Sequence, residues 1–430
     1  MTDQPHAGQS NGATPKGGDP RSAGAPPHEI EEVVAGLPGR LDVPEEINPE
    51  EFAEATGEGI ERVLALDTWR QGEDLAGVYD RIEQEVAEAL EQENDIRRHI
   101  RETVFPMIRN RPHAPRDAGV YRVTAGQIRE AQEKVLFNSG VEACDGTVAV
   151  HDTLPLTIVQ IGVSLVSYAG EQGSWVQRIF RRDIRDRGRD PIAEALDILE
   201  RREQRAGLGR TRRGDVLTEL LRRGLMTYSE RAVLVEKASA PWRMGHGQPA
   251  PYELVTGSGS MDLLHASLAV LRELMLQRQR FVFVPSEPSE RALLTLGDAL
   301  LPYEFAIVDT LKTRLYDVIF RGHLRGEHLR AAESFYRDVA HKTVVGVYRT
   351  SRSVPPYVFY AHEDHAQDAA LIAMADSVLQ AHRGFPVLID IAHSACESTF
   401  GAASFQGTIQ ASYAATGRPL SYLRERETRH

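Results

Sequence analysis

The chain has 430 residues, which is long for a single hydrophobic core and predicts two or three structural units. Its hydrophobic and charged fractions, 41% and 26%, are ordinary for a globular protein, so it needs no disulfides to form a core. The net charge of −12 excludes nucleic-acid binding through overall basicity. Any such surface must come from a local concentration of positive charge.

The sequence also indicates the compartment. Two cysteines, Cys144 and Cys396, are too few for a disulfide framework or a four-cysteine zinc site. We interpret both as reduced, buried thiols. No apolar run is long enough for a membrane span, and the N-terminus lacks the apolar stretch of a signal peptide. We therefore expect a cytoplasmic protein without a membrane partner.

The N-terminal part divides into two predicted regions. Residues 1–27 are rich in glycine, proline and serine, and we expect a disordered tail because they have little apolar surface to bury. Residues 28–120 predict an acidic helical arm, with helical spacing of Val78, Ile82 and Val86. The arm is either a solvated helix or a docking surface for a protein partner, since its acidic face would repel DNA.

Residues 121–430 predict a separate domain. A helix is expected over Ala125–Phe137, followed by a strand that ends near Asp145. A near-continuous apolar run within 154–168 indicates a strand buried on both faces. Residues 178–213 form an arginine-rich insertion, which we interpret as a contact with the DNA backbone. The arginines chosen as DNA contacts are Arg181, Arg182, Arg185, Arg212 and Arg213.

Strands and helices alternate through the rest of the chain. The predicted strands are Tyr252–Val255, Phe281–Val284, Val344–Tyr348, Val358–Tyr360 and Pro386–Ile391. The predicted helices are 216–225, 227–238, Asp262–Gln277, Asp364–His382 and Phe405–Ala415. This alternation indicates an α/β fold in which helices cover a mixed sheet.

Three polar residues in apolar surroundings are candidates for catalysis. Asp145 precedes Gly146 at the expected strand end, where the alternative is a simple hairpin turn. Glu230 borders the apolar face of a helix, where the alternative is a surface side chain. His393 follows an apolar strand that also carries Asp390, and a buried charge there is costly unless it is paired or bound to metal.

A fourth candidate surrounds the Gly-rich loop 256–260. Glu253 precedes this loop and Asp262 follows it, at the start of the next helix. The loop lacks the third glycine of a dinucleotide-binding motif, although backbone N–H groups there could still hold a phosphate. Asp262 could instead cap the helix.

In order and spacing, these segments resemble the NurA family of DNA end-processing nucleases over residues 125–410. The resemblance depends on four motifs: Asp145-Gly146-Thr147, the helix with Glu230, the loop 256–260 and the segment 385–393 ending in Ala-His. The resemblance implies an RNase H-like core, Mn²⁺ (or Mg²⁺) as cofactor, and cleavage of DNA ends. It also implies a homodimer and a HerA-type hexameric translocase as partner.

Two departures from the family pattern bear on activity. Thr256 stands where the second Asp-Gly-Ser motif has aspartate, and Phe385 stands where the family has tyrosine. Glu253 or Asp262 would then replace the missing ligand, and we favour Glu253 for its longer reach.

The sequence thus predicts a metal-dependent deoxyribonuclease. Asp145 and Glu230 would be metal ligands, and His393 would orient the phosphate or bind the metal. One alternative is a catalytically weakened or inactive adaptor that binds DNA and the translocase. The other is an unrelated α/β protein that binds a nucleotide through the Gly-rich loop.

Overall fold

The computed structural model describes residues 48–69, 76–153, 156–182, 190–205, 217–287, 291–322 and 324–421. Their strands form one mixed sheet of nine strands. In chain order these are β1 (Gly119–Arg122), β2 (Val141–Asp152), β3 (Leu156–Ser167), β4 (Gly170–Arg182), β5 (Trp242–His246), β6 (Phe281–Val284), β7 (Glu304–Thr310), β8 (Thr343–Arg349) and β9 (Tyr357–His362). The tail expected over residues 1–27 lies outside the described residues.

The order of the strands across the sheet is β1-β7-β8-β9-β6-β5-β2-β3-β4. Strands β2, β3 and β4 are antiparallel neighbours, whereas β5 runs parallel to β2 and β6 parallel to β5. Antiparallel pairs with β9, β8, β7 and β1 extend the sheet beyond β6. The antiparallel strands β4, β3 and β2, followed by the parallel strands β5 and β6, confirm the predicted RNase H-like mixed sheet.

Helices surround this sheet. They are α1 (Pro49–Thr56), α2 (Ile60–Leu64), α3 (Ala76–His99), α4 (Ala125–Ala131), α5 (Pro191–Arg205), α6 (Glu219–Glu236), α7 (Tyr252–Val255), α8 (Met261–Arg272), α9 (Arg291–Asp298), α10 (Lys312–Tyr316), α11 (Gly326–Val339), α12 (Ala366–Ser377), α13 (Val387–Phe400) and α14 (Ala402–Ala415). The π-helical segments are Ile100–Val104, Gln132–Leu136, Glu273–Arg278 and Asp317–Arg321. The 3₁₀ segments are Leu66–Thr68, Phe105–Asn110, Gly257–Gly259 and Glu363–His365.

The core has two apolar layers, because side chains alternate between the two faces of a strand. On β6, Phe281 and Phe283 pack in one layer with the side chains of α6 and α8. Val282 and Val284 pack in the other layer, with α12 and α13. All four side chains are fully buried, as expected for a strand covered by helices on both faces.

Three secondary-structure predictions were wrong. The two helices expected over 216–225 and 227–238 correspond to one helix, α6, capped at its N-terminus by Thr218. The strand expected over Tyr252–Val255 is the short helix α7. The strand expected over Pro386–Ile391 is the first turn of α13, whose buried positions include Leu388, Ala392 and Cys396 at helical spacing. An apolar run this short does not distinguish a buried strand from a buried helix.

The described part of the acidic arm is helical, as expected. Helix α3 carries an exposed apolar row that includes Tyr79, Ile82, Val86 and Leu90, each more than half exposed. Arg101, which follows α3, forms an ion pair with Glu304 at 2.6 Å and joins this region to the sheet. The domain boundaries at residues 28 and 121 stay a prediction. Within the described residues, no helix combines the length and apolarity that crossing a membrane requires.

Candidate active site

Asp145 lies inside β2, in the middle of the sheet. The prediction that the strand ends there in an Asp-Gly turn was wrong, because β2 continues to Asp152 and Asp145 pairs with Ser164 of β3. A two-residue type I′ turn requires positive φ, which Gly146 does not have. The Asp145 carboxylate is only 4% exposed, and a buried charge of this kind needs partners.

The two faces of β2 meet different helices. A Cβ atom on Gly146 would lie 2.9 Å from Oε1 of Glu230, so this glycine allows α6 to approach the strand closely. The next residue, Thr147, faces the other way and donates a hydrogen bond to Glu397 of α13 at 2.9 Å. Asp145 shares the face of Thr147, because strand side chains alternate. The central strand is therefore held between α6 and α13.

Glu230 is buried in α6 and not on the surface, with 4% exposure. It accepts a short hydrogen bond from the equally buried Arg231, and the backbone N–H of Gly146 also donates to it. The pKa of Glu230 is raised to about 7, mainly because the carboxyl group is buried. The positive charge of Arg231 lowers this pKa, and the negative charge of Asp145 raises it further. Arg231 is itself held by the carbonyl oxygens of His246 and Gln248, at 3.1 and 2.6 Å.

His393 lies on α13 and reaches Asp145 from the opposite side. Its Nδ1 is 2.8 Å from Oδ2 of Asp145, and its side chain is 59% exposed. The neighbouring Asp390 does not share this contact, since it accepts a hydrogen bond from Arg383 at 2.6 Å. The carboxylate thus orients an imidazole whose other nitrogen, Nε2, stays available to a ligand.

The structure adds a fourth side chain, His246, which the sequence analysis missed. It ends β5, the strand beside β2, and its Nδ1 lies 3.6 Å from Oδ1 of Asp145. Burial alone would lower the pKa of His246, but the carboxylates of Asp145 and Glu230 raise it above its ordinary value. The sequence signal that could have indicated it was the pair His246-Gly247 after Trp242-Arg243-Met244-Gly245, and in the structure Gly247 has φ +78°.

The segment before Thr256 differs from the expected strand. The strand beside β2 ends in His246-Gly247, whereas Thr256-Gly257-Ser258 follows the helix α7. A Cβ atom on Gly257 would lie 2.6 Å from Cβ of Leu264, so that glycine serves close packing against α8. The expectation that a strand leads into Thr256 was therefore wrong, and it is the strand beside β2 that leads into His246.

The other two predicted ligands, Glu253 and Asp262, lie on the helices α7 and α8. Glu253 is buried in α7 and forms an ion pair with Arg223 at 2.8 Å. Asp262 lies exposed in the first turn of α8, whose cap is Ser260. In the described part of the chain, neither carboxylate has a hydrogen bond or ion pair with Asp145. The role of Glu253 or Asp262 as a replacement ligand stays a prediction.

Two of the five arginines predicted to contact DNA lie within the described residues. Arg181 and Arg182 lie at the end of β4, the edge strand of the sheet. Arg181 donates to Thr157 Oγ1 at 3.2 Å, and Arg182 is exposed. Arg185, Arg212 and Arg213 lie outside the described residues.

Two further observations concern possible ligands. Both cysteines are buried and free, as expected, and burial raises the pKa of the Cys144 and Cys396 thiols. Among the described residues, no three histidine, cysteine, aspartate or glutamate side chains are already gathered as a complete set of metal ligands. Asp145, Glu230, His246 and His393 are instead engaged with one another or with Arg231.

No family model and no curated protein matches the sequence. Among solved structures, the NurA nuclease from Sulfolobus solfataricus is 10% identical, covers 80% of this chain and 99% of its own, and gives a TM-score of 0.40. NurA bound to dAMP and manganese is 9% identical, with coverages of 83% and 99% and a TM-score of 0.38. NurA with manganese is 10% identical, with coverages of 67% and 95% and a TM-score of 0.35. The structural neighbours of this chain are thus NurA nuclease structures.

Proposed function

We propose that the protein is a metal-dependent deoxyribonuclease that cleaves DNA ends. The observation that carries this proposal is the Asp145 cluster at the central strands of an RNase H-like sheet. In it Asp145 contacts His393, and Glu230, bonded to the N–H of the adjacent Gly146, lies near enough for the charge of Asp145 to raise its pKa. A strongly perturbed carboxyl group beside a second carboxylate is typical of a functional site. Phosphodiester hydrolysis with metals uses such converging carboxylates.

The donor atoms of this cluster fit a divalent ion chemically. Carboxylate oxygen and imidazole nitrogen are ordinary ligands of first-row metals such as Mn²⁺. With metal–ligand bonds of about 2.1 Å, adjacent ligand atoms lie roughly 3 Å apart. The separations of His393 and His246 from Asp145, 2.8 and 3.6 Å, bracket that value. A bound ion would lower the pKa of a water molecule and offset charge on the phosphate.

The residues around this ion would then have separate tasks. Asp145 and Glu230 would hold it, and the N–H of Gly146 keeps the Glu230 carboxylate oriented. His393 would bind a phosphate oxygen through Nε2, because its Nδ1 is hydrogen-bonded to Asp145. Its high exposure puts that nitrogen on the side open to substrate.

DNA would be held through its phosphates and not through its bases. Arg181 and Arg182 supply positive charge at the edge of the sheet, although the whole chain carries −12. Contacts of this kind fix the position of DNA without reading its sequence. In line with the sequence analysis, we further propose a cytoplasmic homodimer that works with a HerA-type hexameric translocase.

The test is cleavage of linear duplex DNA by the full chain with Mn²⁺, with and without the translocase. Asp145→Ala should abolish cleavage and leave the thermal unfolding midpoint within a few degrees of wild type. Asp262→Ala is the matched control, because this exposed aspartate is outside the cluster and should be dispensable. Full activity of the Asp145 variant would refute the site. A wild-type protein that binds DNA and the translocase but never cleaves would be the adaptor.

A further inference from the structure

The edge strand β4 carries apolar and basic side chains in alternation on one of its faces. Residues 176, 178, 180 and 182 share this face because strand side chains alternate. They are Val176, Arg178, Phe180 and Arg182, all exposed, and we call them the β4 strip. Phe180 is 59% exposed and, in the part of the chain that the structure describes, belongs to none of the apolar clusters of the core. A lone exposed aromatic ring is ordinary, but a ring between two arginines has the chemistry of a nucleic-acid contact.

The β4 strip lies on the face of the sheet that carries Asp145. The register pairs Asp145 with Ser164 and Ser164 with Ser174, and the hydroxyl oxygens of the two serines are 2.7 Å apart. Ser174 and Phe180 point to the same side of β4, because an even number of residues separates them. Phe180 therefore lies about 20 Å along the strand direction and about 10 Å across the sheet from Asp145. A DNA strand that ends at the Asp145 cluster would reach Phe180 after a few nucleotides.

The helix that carries His393 also holds one arginine of the strip in place. Nε of Arg178 donates a hydrogen bond to Oε1 of Gln160 at 2.8 Å, and Nε2 of Gln160 donates to the carbonyl oxygen of Phe400 at 2.8 Å. Phe400 ends α13, and its side chain packs on Gly162 of β3, where any larger residue would collide with it. The Arg178 guanidinium is thus oriented through its Nε, and its other N–H donors can face a phosphate.

We propose that the β4 strip binds an unpaired DNA strand, with one base stacked on the ring of Phe180 and phosphates held by Arg178 and Arg182. This inference rests on the proposed function, because it gives the nuclease a contact with a single-stranded end. Aromatic side chains bind bases of any sequence by stacking, and arginines add charge in grooves that follow a single strand. The bases of a duplex are already stacked in pairs, so a blunt duplex would not engage Phe180 in this way.

The test is fluorescence anisotropy of a labelled oligothymidine of about 12 nucleotides, within the length that single-strand sites cover. The full chain is used with EDTA, so that no cleavage occurs. Phe180→Ala should weaken binding about tenfold, as expected for one stacked base, and Phe180→Trp should retain it. Phe180→Ala should leave the affinity for a blunt duplex of the same length unchanged.

The salt dependence distinguishes the ring from the arginines. Arg178→Gln should reduce the slope of log binding constant against log salt by about 0.7 on oligothymidine, the value for one phosphate contact of a single strand. Phe180→Ala should leave this slope unchanged, because it removes no charge. Tyr79→Ala is the matched control, since Tyr79 is 62% exposed on α3 in the acidic arm and should not affect binding. Thermal unfolding and light scattering of each variant report its folding and its molecular mass.

The outcomes separate this inference from the proposed function. If Phe180→Ala binds oligothymidine as wild type does, or loses affinity for duplex to the same degree, the stacking site is overturned while Mn²⁺-dependent cleavage can still stand. If Phe180→Ala changes only the molecular mass, the β4 strip is a contact between two copies of the chain, and the inference is overturned as well. If the stacking and salt effects are found but wild type cleaves no linear DNA, the strip stands and the proposed nuclease activity fails.

Discussion

Gly146 determines how closely α6 can approach β2 at the candidate site. A methyl group at this position would lie 2.9 Å from both Oε1 of Glu230 and Cγ of Met226. Ordinary van der Waals contact begins near 3.4 Å, so the Glu230 carboxylate would have to retreat by about 0.5 Å. Gly146 does not have positive φ, and therefore Gly146→Ala adds crowding without backbone strain.

We expect this crowding to affect activity more than folding. Overpacking of a core typically costs about 1–3 kcal/mol, which should lower the unfolding midpoint by several degrees. A misplacement of 1 Å at a catalytic group can cost about 100-fold in rate, so a retreat of half that distance should slow cleavage roughly tenfold. The assay is the initial rate of Mn²⁺-dependent cleavage of linear DNA, together with thermal unfolding.

Gly407→Ala is the matched control for this substitution. Gly407 is exposed in α14, and a Cβ atom there would meet nothing within 4 Å. Alanine should stabilise that helix by up to about 1 kcal/mol and leave the rate unchanged. A Gly146→Ala protein that cleaves at the wild-type rate would refute the inferred packing of Glu230 against β2.

Three other predictions concern charge and stability. Burial raises the pKa of Glu230 from 4.5 to about 7, so the carboxyl group favours the folded state below about pH 4.5, and this contribution is lost as pH rises through 7. Without metal, the free energy of unfolding of wild type should therefore fall between pH 4.5 and 7, and this fall should be smaller in Glu230→Gln. Curves of unfolding free energy against pH that run parallel for the two proteins would contradict this prediction. Asp376→Ala should cost about 2–3 kcal/mol in chemical denaturation, because buried Asp376 accepts hydrogen bonds from the hydroxyl of Tyr168 and from the N–H of Leu388 at 2.9 Å. A loss below 0.5 kcal/mol would mean that these donors find other partners. Arg182→Gln should reduce the slope of log binding constant against log salt by about 1 on duplex DNA of any sequence, and loss restricted to one sequence would show base reading instead.

Much of the sheet could be predicted from the sequence because its signals are local. The apolar runs of β3 and β6 are bounded by turn residues, and both strands lie where they were expected. The α4 helix begins with Thr124 and Gln127, which form a capping box visible in the sequence. Alternation of such segments was sufficient to predict a mixed sheet covered by helices.

The sequence was less informative where local patterns were ambiguous. The apolar run 386–391 has the composition of a buried strand, but Pro386 precedes a helix whose inner face continues to Cys396. Tyr252–Val255 was equally ambiguous, and it is the short helix α7 and not the expected strand. Both errors arose because short apolar segments fit strand and helix equally well.

The sequence by itself determined the kinds of side chain available for chemistry: Asp145, Glu230 and His393 were identified from their apolar surroundings. Only the tertiary structure decided which of them meet. His246 joins Asp145 because β5 lies parallel to β2, an alignment fixed by packing between segments about a hundred residues apart in the chain. Glu253 forms an ion pair with Arg223, a contact that the sequence did not indicate. Distances between such segments depend on the packing of the whole core, so they cannot be predicted from local sequence patterns.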